Sequence, residues 1–91
     1  MSAELEAAVA SASRATVEFY ALLAFHKTSF QELHLLLAWP AGLREAHAAW
    51  MARMVNVVKA LAREDGIPDT TELSERDRIA LTVRAYDLVM S

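Results

Sequence analysis

Apolar and small residues recur at helical spacing through the first part of the chain. From Leu5 to His26 they are three and four positions apart, which is the period of one face of an α-helix. Ser2 precedes the pattern as a candidate N-cap, and two glutamates follow it, where they suit the positive start of a helix. The pattern predicts a helix over residues 3–27. Its expected buried stripe is Leu5, Ala8, Ala12, Ala15, Phe19, Leu22 and His26.

The next segment, residues 29–39, is apolar around nearly the whole helical circumference. Ser29 and Glu32 have the spacing of a capping box, which predicts a new helix start. Pro40 should end the helix, because proline lacks a backbone N–H and disfavours helical geometry in the residue before it. A helix that is apolar on all sides must be covered on all sides. It is therefore either the central helix of a compact bundle or, as we favour, part of an interface between chains.

A third helix is predicted over residues 41–65 by the most regular amphipathic pattern in the sequence. Gly66 suits the position just after the helix, and Pro68 prevents the helix from resuming. The expected core stripe is Leu43, His47, Trp50, Met54, Val57 and Leu61.

A fourth helix is predicted over residues 74–90, after a polar loop at 68–71. Either Asp69 or Ser74 could cap it. The expected core stripe is Ile79, Val83, Tyr86 and Met90, with Ala80 and Val89 beside it.

These elements predict an all-α fold for residues 1–91 as a single helical domain. The architecture is a small three- to four-helix bundle or a long helical hairpin. The chain has 91 residues, of which 55% are hydrophobic. A chain of this length buries only about 60–65% of its unfolded surface, so we expect oligomerisation to complete the fold.

Charge and cysteine content exclude several classes of partner. The net charge is −3, and acidic and basic residues are interspersed, which predicts no nucleic-acid or membrane partner. No apolar run approaches the ~20 residues that cross a bilayer. Glu4 and Glu6 stand where a secretory leader would be positive. The sequence contains no cysteine, which fits a cytoplasmic protein.

The predicted function is that of a non-enzymatic protein–protein interaction module: an adaptor, a chaperone-like protein or an assembly subunit. It would act as a homodimer or within a complex. No glycine-rich loop or nucleophile signature is present, so no enzyme and no cofactor is expected. The expected contact residues are Phe30, Leu33, Leu36, Leu37, Trp39, Trp50 and Met54.

Two histidines suggest an alternative. If residues before and after Pro40 form an antiparallel helical hairpin, His34 and His47 lie level across it. Two facing imidazoles can ligate a haem iron or, with a nearby carboxylate, a divalent metal. No H-E-x-x-H or C-x-x-C-H motif accompanies them, so a haem- or metal-holding bundle is the second hypothesis.

A third hypothesis comes from residues 73–81, which read LSERDRIAL. This segment resembles the opening helix of some bacterial helix-turn-helix modules. The resemblance covers nine residues and implies a small transcriptional regulator. The sequence departs from the pattern afterwards, because the residues up to Ser91 leave no room for a turn and a recognition helix.

Overall fold

Three long helices and one short helical turn form the fold in the computed structural model, which describes residues 1–69 and 71–91. Helix α1 spans Ala3–Phe25, α2 Phe30–Leu33, α3 Leu43–Glu64 and α4 Glu75–Met90. Helices α1, α3 and α4 pack together, with the most extensive contact between α1 and α3. No strand occurs in either described range. The predicted all-α bundle is confirmed. The predicted loop 68–71 includes Thr70, which lies outside the described residues.

Serine caps start α1, α2 and α4. The hydroxyls of Ser2 and Ser29 accept hydrogen bonds from the N–H groups of Leu5 at 3.1 Å and Glu32 at 3.3 Å. Ser74 accepts from the N–H of Asp77 at 3.2 Å, so Ser74 rather than Asp69 caps α4. Each cap satisfies one backbone donor that has no partner inside its helix. Local sequence therefore specifies where these helices begin.

Helices α1 and α3 end in the same backbone motif. After α1, the N–H of Thr28 donates to the carbonyl of Leu23, and Lys27 has a left-handed φ of 53°. After α3, the N–H of Ile67 donates to the carbonyl of Ala62, and Gly66 has a φ of 76°. This is the Schellman arrangement, in which glycine avoids the strain that a side chain suffers at positive φ. The predicted role of Gly66 is confirmed.

Substitutions at positions 27 and 66 should change the stability of the protein in opposite directions. We expect Lys27→Gly to raise the free energy of unfolding by about 0.5–1 kcal/mol, because it removes left-handed strain. Gly66→Ala should lower it by about 1 kcal/mol through the backbone alone, since no heavy atom would lie within 4 Å of the added Cβ. Chemical denaturation of both variants measures the changes. Equal effects of the same sign would contradict this account.

The core lies between the three long helices and is entirely apolar. Its centre is a stacked pair, Phe19 of α1 and Trp50 of α3, with ring centroids 5.5 Å apart at 20°. The stripe predicted for α3 is confirmed, except that His47 is only half-buried. Of the stripe predicted for α1, Ala8, Leu22 and His26 are only half-buried, and Leu23 is buried beside the stripe. The buried residues are Leu5, Ala12, Ala15, Phe19, Leu23, Leu33, Leu43, Trp50, Met54, Val57, Ala60, Leu61, Leu81, Ala85 and Val89.

Helix α4 faces the core with a different stripe from the predicted one. Leu81, Ala85 and Val89 are buried, whereas the predicted stripe is exposed, with relative exposures of 56% for Ile79, 54% for Val83, 38% for Tyr86 and 46% for Met90. On a helix with 3.6 residues per turn the two stripes point about 130° apart.

The inward stripe of α4 contains a small residue that allows close approach to α1. Ala85 and Ala12 of α1 are both fully buried. The Ser13 hydroxyl reaches the carbonyl of Val89 across the two helices at 3.5 Å. Small side chains let helix backbones come together, which the bulky stripe of Ile79 and Tyr86 would prevent. The stripe predicted for α4 is therefore wrong.

The predicted helix over residues 29–39 is also wrong beyond its first turn. Helix α2 ends at Leu33, and the next two N–H groups, of Leu35 and Leu36, bond three residues back in a tight turn. Pro40 prevents helical geometry at Trp39, and so short a helix gains too few hydrogen bonds to offset its nucleation. The segment continues without regular structure to α3, which begins at Leu43 rather than at residue 41.

Candidate protein-binding surface

Three of the predicted contact residues belong to the core of the single chain. The relative exposures of Leu33, Trp50 and Met54 are 3%, 2% and 6%. Side chains enclosed to this degree offer almost no surface to a second protein. In the single chain they fill the interior, because the α2 turn and the inner face of α3 pack against α1. The sequence indicated that these residues would be buried, but it did not show whether the chain's own helices or a second chain would cover them.

The other predicted contact residues remain accessible. Phe30 is 39% exposed and rests edge-on against Phe19. Trp39 is half-buried with its ring against His47. Leu36 is 39% exposed, and Leu37 is fully exposed. Together with Leu35, which is 74% exposed, Leu36 and Leu37 form an apolar surface segment that we term the leucine loop.

An apolar groove runs between α3 and α4. It encloses about 400 Å³ and is open to solvent. Its apolar lining is Met51, Met54, Val55, Val58, Leu73 and Tyr86, and its polar lining is Lys59, Arg78 and Thr82. Of the predicted contact residues only Met54 lines this groove, and it is 6% exposed. The sequence feature that could have indicated the groove is the pair Met51 and Val55, two apolar residues one helical turn apart beside the core stripe of α3.

The exposed stripe of α4 borders this groove. Ile79, Val83, Tyr86 and Met90 follow one another at steps of four, three and four residues, which keeps them in one narrow line along the helix. We term this line the α4 seam. Tyr86 belongs both to the seam and to the groove wall. The seam and the groove therefore meet at Tyr86, while Arg78 and Thr82 lie between them along the rest of α4.

The two histidines do not sit on facing helices. His34 is an exposed residue at the end of α2. His47 lies in α3 within an aromatic cluster, with its ring centroid 5.4 Å from Phe19 and 5.1 Å from Trp39. The hairpin of two helices that would have set them level is not formed, because residues 34–42 are not helical. Within the described ranges, no group of three or more His, Asp or Glu side chains could hold a metal ion.

The pKa of the Tyr86 phenol is raised in the folded protein. Its ring packs edge-on against Trp50, with centroids 5.9 Å apart. Burial raises the pKa of Tyr86 above 10.0, and the charge of nearby Tyr20 raises it further. Because the folded protein holds this proton more tightly than the unfolded chain, the resulting stability is present below pH 10 and is lost as pH rises through the pKa of folded Tyr86.

A titration can isolate this tyrosine. In a Tyr20→Phe variant the absorbance of phenolate at alkaline pH reports Tyr86 alone, since the chain has two tyrosines. In this variant we expect the titration midpoint of Tyr86 to lie above that of free tyrosine. It should lie below the midpoint of Tyr86 in the natural chain, where Tyr20 is present. A midpoint at the value of free tyrosine would show that the ring is fully solvated.

In the parts of the chain that the structure describes, no helix combines the length and apolar character needed to span a bilayer. Comparison of the chain with family models, curated proteins and solved structures gave no match, so its side-chain geometry is the basis for a functional assignment.

Proposed function

We propose that this chain is a non-enzymatic protein–protein interaction module of the cytoplasm. The observation that carries the proposal is the set of exposed apolar side chains in the α4 seam, together with the apolar α3–α4 groove that the seam meets at Tyr86. Folded monomers rarely expose contiguous apolar surface of this kind, and where they do it commonly marks a binding site. A second copy of the chain is the simplest partner, because in a two-fold dimer one patch serves both subunits.

The residue types in this surface support the proposal. Met51 and Met90 are unbranched and adaptable, and Tyr86 combines a large apolar ring with a polar hydroxyl. Methionine and aromatic residues are enriched in protein interfaces relative to other surfaces. Six of the nine residues that line the groove are apolar, and the other three are Lys59, Arg78 and Thr82.

Light scattering coupled to size exclusion tests the proposal. One chain has a mass of 10.1 kDa. We expect the measured mass to rise towards that of two chains as the concentration increases from low to high micromolar. A mass of one chain throughout this range would overturn the proposal.

A further inference from the structure

We propose that the occupant of the α4 seam is the α4 helix of a second copy, lying antiparallel to the first. This inference rests on the proposed function and specifies its contact. Tyr86 borders the subunit's own core at Trp50, but all four seam side chains are 38–56% exposed and can meet another helix. The spacing of the seam, its flanking residues and its charges each support this occupant.

The spacing of the seam matches that of the core positions in paired helices. Steps of four, three and four residues place side chains where two helices interlock with knobs-into-holes packing. Helix α4 has 16 residues, or about 24 Å of length, and the seam extends from its second turn to its end. The neighbouring Ala80 and Thr82 are small, which lets a second helix approach closely.

An antiparallel pair makes complementary layers along the seam. With the two-fold axis between Val83 and Tyr86, Val83 of each copy faces Tyr86 of the other. In the same arrangement Ile79 of each copy faces Met90 of the other. Each layer then combines a β-branched side chain with a longer or larger one, and such alternation of size fills the space between two helices.

Charge favours the antiparallel orientation over the parallel one. Arg76 precedes Val83 by seven residues and so continues the seam at its start, next to Glu75 and Asp77 of the same turn, whereas the last turn of α4 carries Asp87 and no basic residue. Neither Arg76 nor Asp87 forms an ion pair with another described residue of its own chain. With Val83 facing Tyr86, Arg76 lies level with a position three residues past Met90 of the other α4, so its long side chain approaches the negative C-terminal end of that helix dipole. A parallel pair would place Arg76 beside Arg76.

The contact also extends beyond the two α4 helices. Tyr86 belongs both to the seam and to the groove, so Met51 and Val55 of α3 adjoin the same face. Stable dimers bury about 800 Å² on each partner. A face that combines one side of α4 with the adjoining part of α3 is a better match to this requirement than α4 alone.

A charge within the seam tests the location of the contact. Val83→Glu places a carboxylate in the centre of the proposed interface at a site that is 54% exposed in the single chain. Leu37→Glu is the matched control, with the same charge in the fully exposed leucine loop. We expect Val83→Glu to be monomeric at concentrations where the natural chain and Leu37→Glu are dimeric, with unchanged helical circular dichroism in all three.

The possible failures can be told apart. A natural chain that is always monomeric overturns both the proposed function and this inference. A dimer that survives Val83→Glu but is lost in Leu37→Glu overturns only this inference, and shows that the leucine loop makes the contact. A dimer that survives both changes likewise excludes the α4 seam.

Disulfide trapping tests the orientation, because the chain has no cysteine of its own. Two cysteines can bond only when their Cα atoms lie within about 7 Å. In the antiparallel pair position 79 of one copy faces position 90 of the other. We therefore expect a covalent dimer from an equimolar mixture of Ile79→Cys and Met90→Cys, and none from either variant alone. Rapid dimerisation of Ile79→Cys alone would show a parallel pair and overturn the proposed orientation.

Discussion

Trp50→Ala is expected to lower the free energy of unfolding by about 3–5 kcal/mol. The Trp50 ring is 2% exposed and stacks on Phe19. The rings of Phe30 and Tyr86 cover it edge-on, with centroids 5.8 and 5.9 Å away. Truncation removes this apolar contact and leaves a cavity between α1, α3 and α4. Small domains are stable by only about 5–15 kcal/mol, so a large share of the folded population would be lost.

Two further variants make this measurement specific. Phe25→Ala removes an aromatic ring that is 78% exposed on α1, and should change stability by no more than about 0.5 kcal/mol. Trp50→Phe keeps an aromatic ring and removes an indole N–H that has no hydrogen-bond partner among the described residues. It should therefore cost less than Trp50→Ala. Urea denaturation followed by circular dichroism gives all three values, and equal losses for Trp50→Ala and Phe25→Ala would refute the stacked core.

Ala12→Leu is expected to destabilise the bundle by about 1–3 kcal/mol through overpacking. Ala12 is fully buried on α1, on the side that meets the other long helices. A larger side chain there would force the helices apart and disturb the close approach of α4. The cost arises because well-packed interiors have no free volume to accept the added atoms.

The matched control for this variant is Ala10→Leu, at an exposed position of the same helix. Leucine and alanine have similar helix propensities, so the control should be nearly neutral. Thermal and urea unfolding of both variants measure the difference. If Ala12→Leu were as stable as Ala10→Leu, the tight packing of α1 against its neighbours would be disproved.

Local sequence predicted the helix ends of this protein well. Ser2 and Ser29 cap helices as expected, Ser74 is one of the two caps expected for α4, and Gly66 ends α3 as expected. Such features depend on hydrogen bonds between residues three to five apart, which the sequence shows directly. The core face of α3 was equally clear, because α3 carries one dominant apolar stripe.

The α2 segment shows where local reasoning was insufficient. Its capping box predicted the first turn correctly, but the leucines after it do not continue the helix. The prediction of facing His34 and His47 depended on that helix and had no other support. A run of apolar residues shows that burial would be favourable, but it does not show that a surrounding core exists. Here Leu35 and Leu37 remain exposed.

The sequence by itself determined that this chain forms helices, where most of them start and stop, and which face of α3 enters the core. Only the tertiary structure decided which of the two apolar stripes of α4 is buried. Both stripes satisfy the helical period, so periodicity cannot choose between them. The choice depends on how closely α4 can approach α1, and fully buried Ala12 and Ala85 permit that approach with Leu81 and Val89 turned inward. That choice leaves the α4 seam exposed, and with it the surface proposed to bind a second copy.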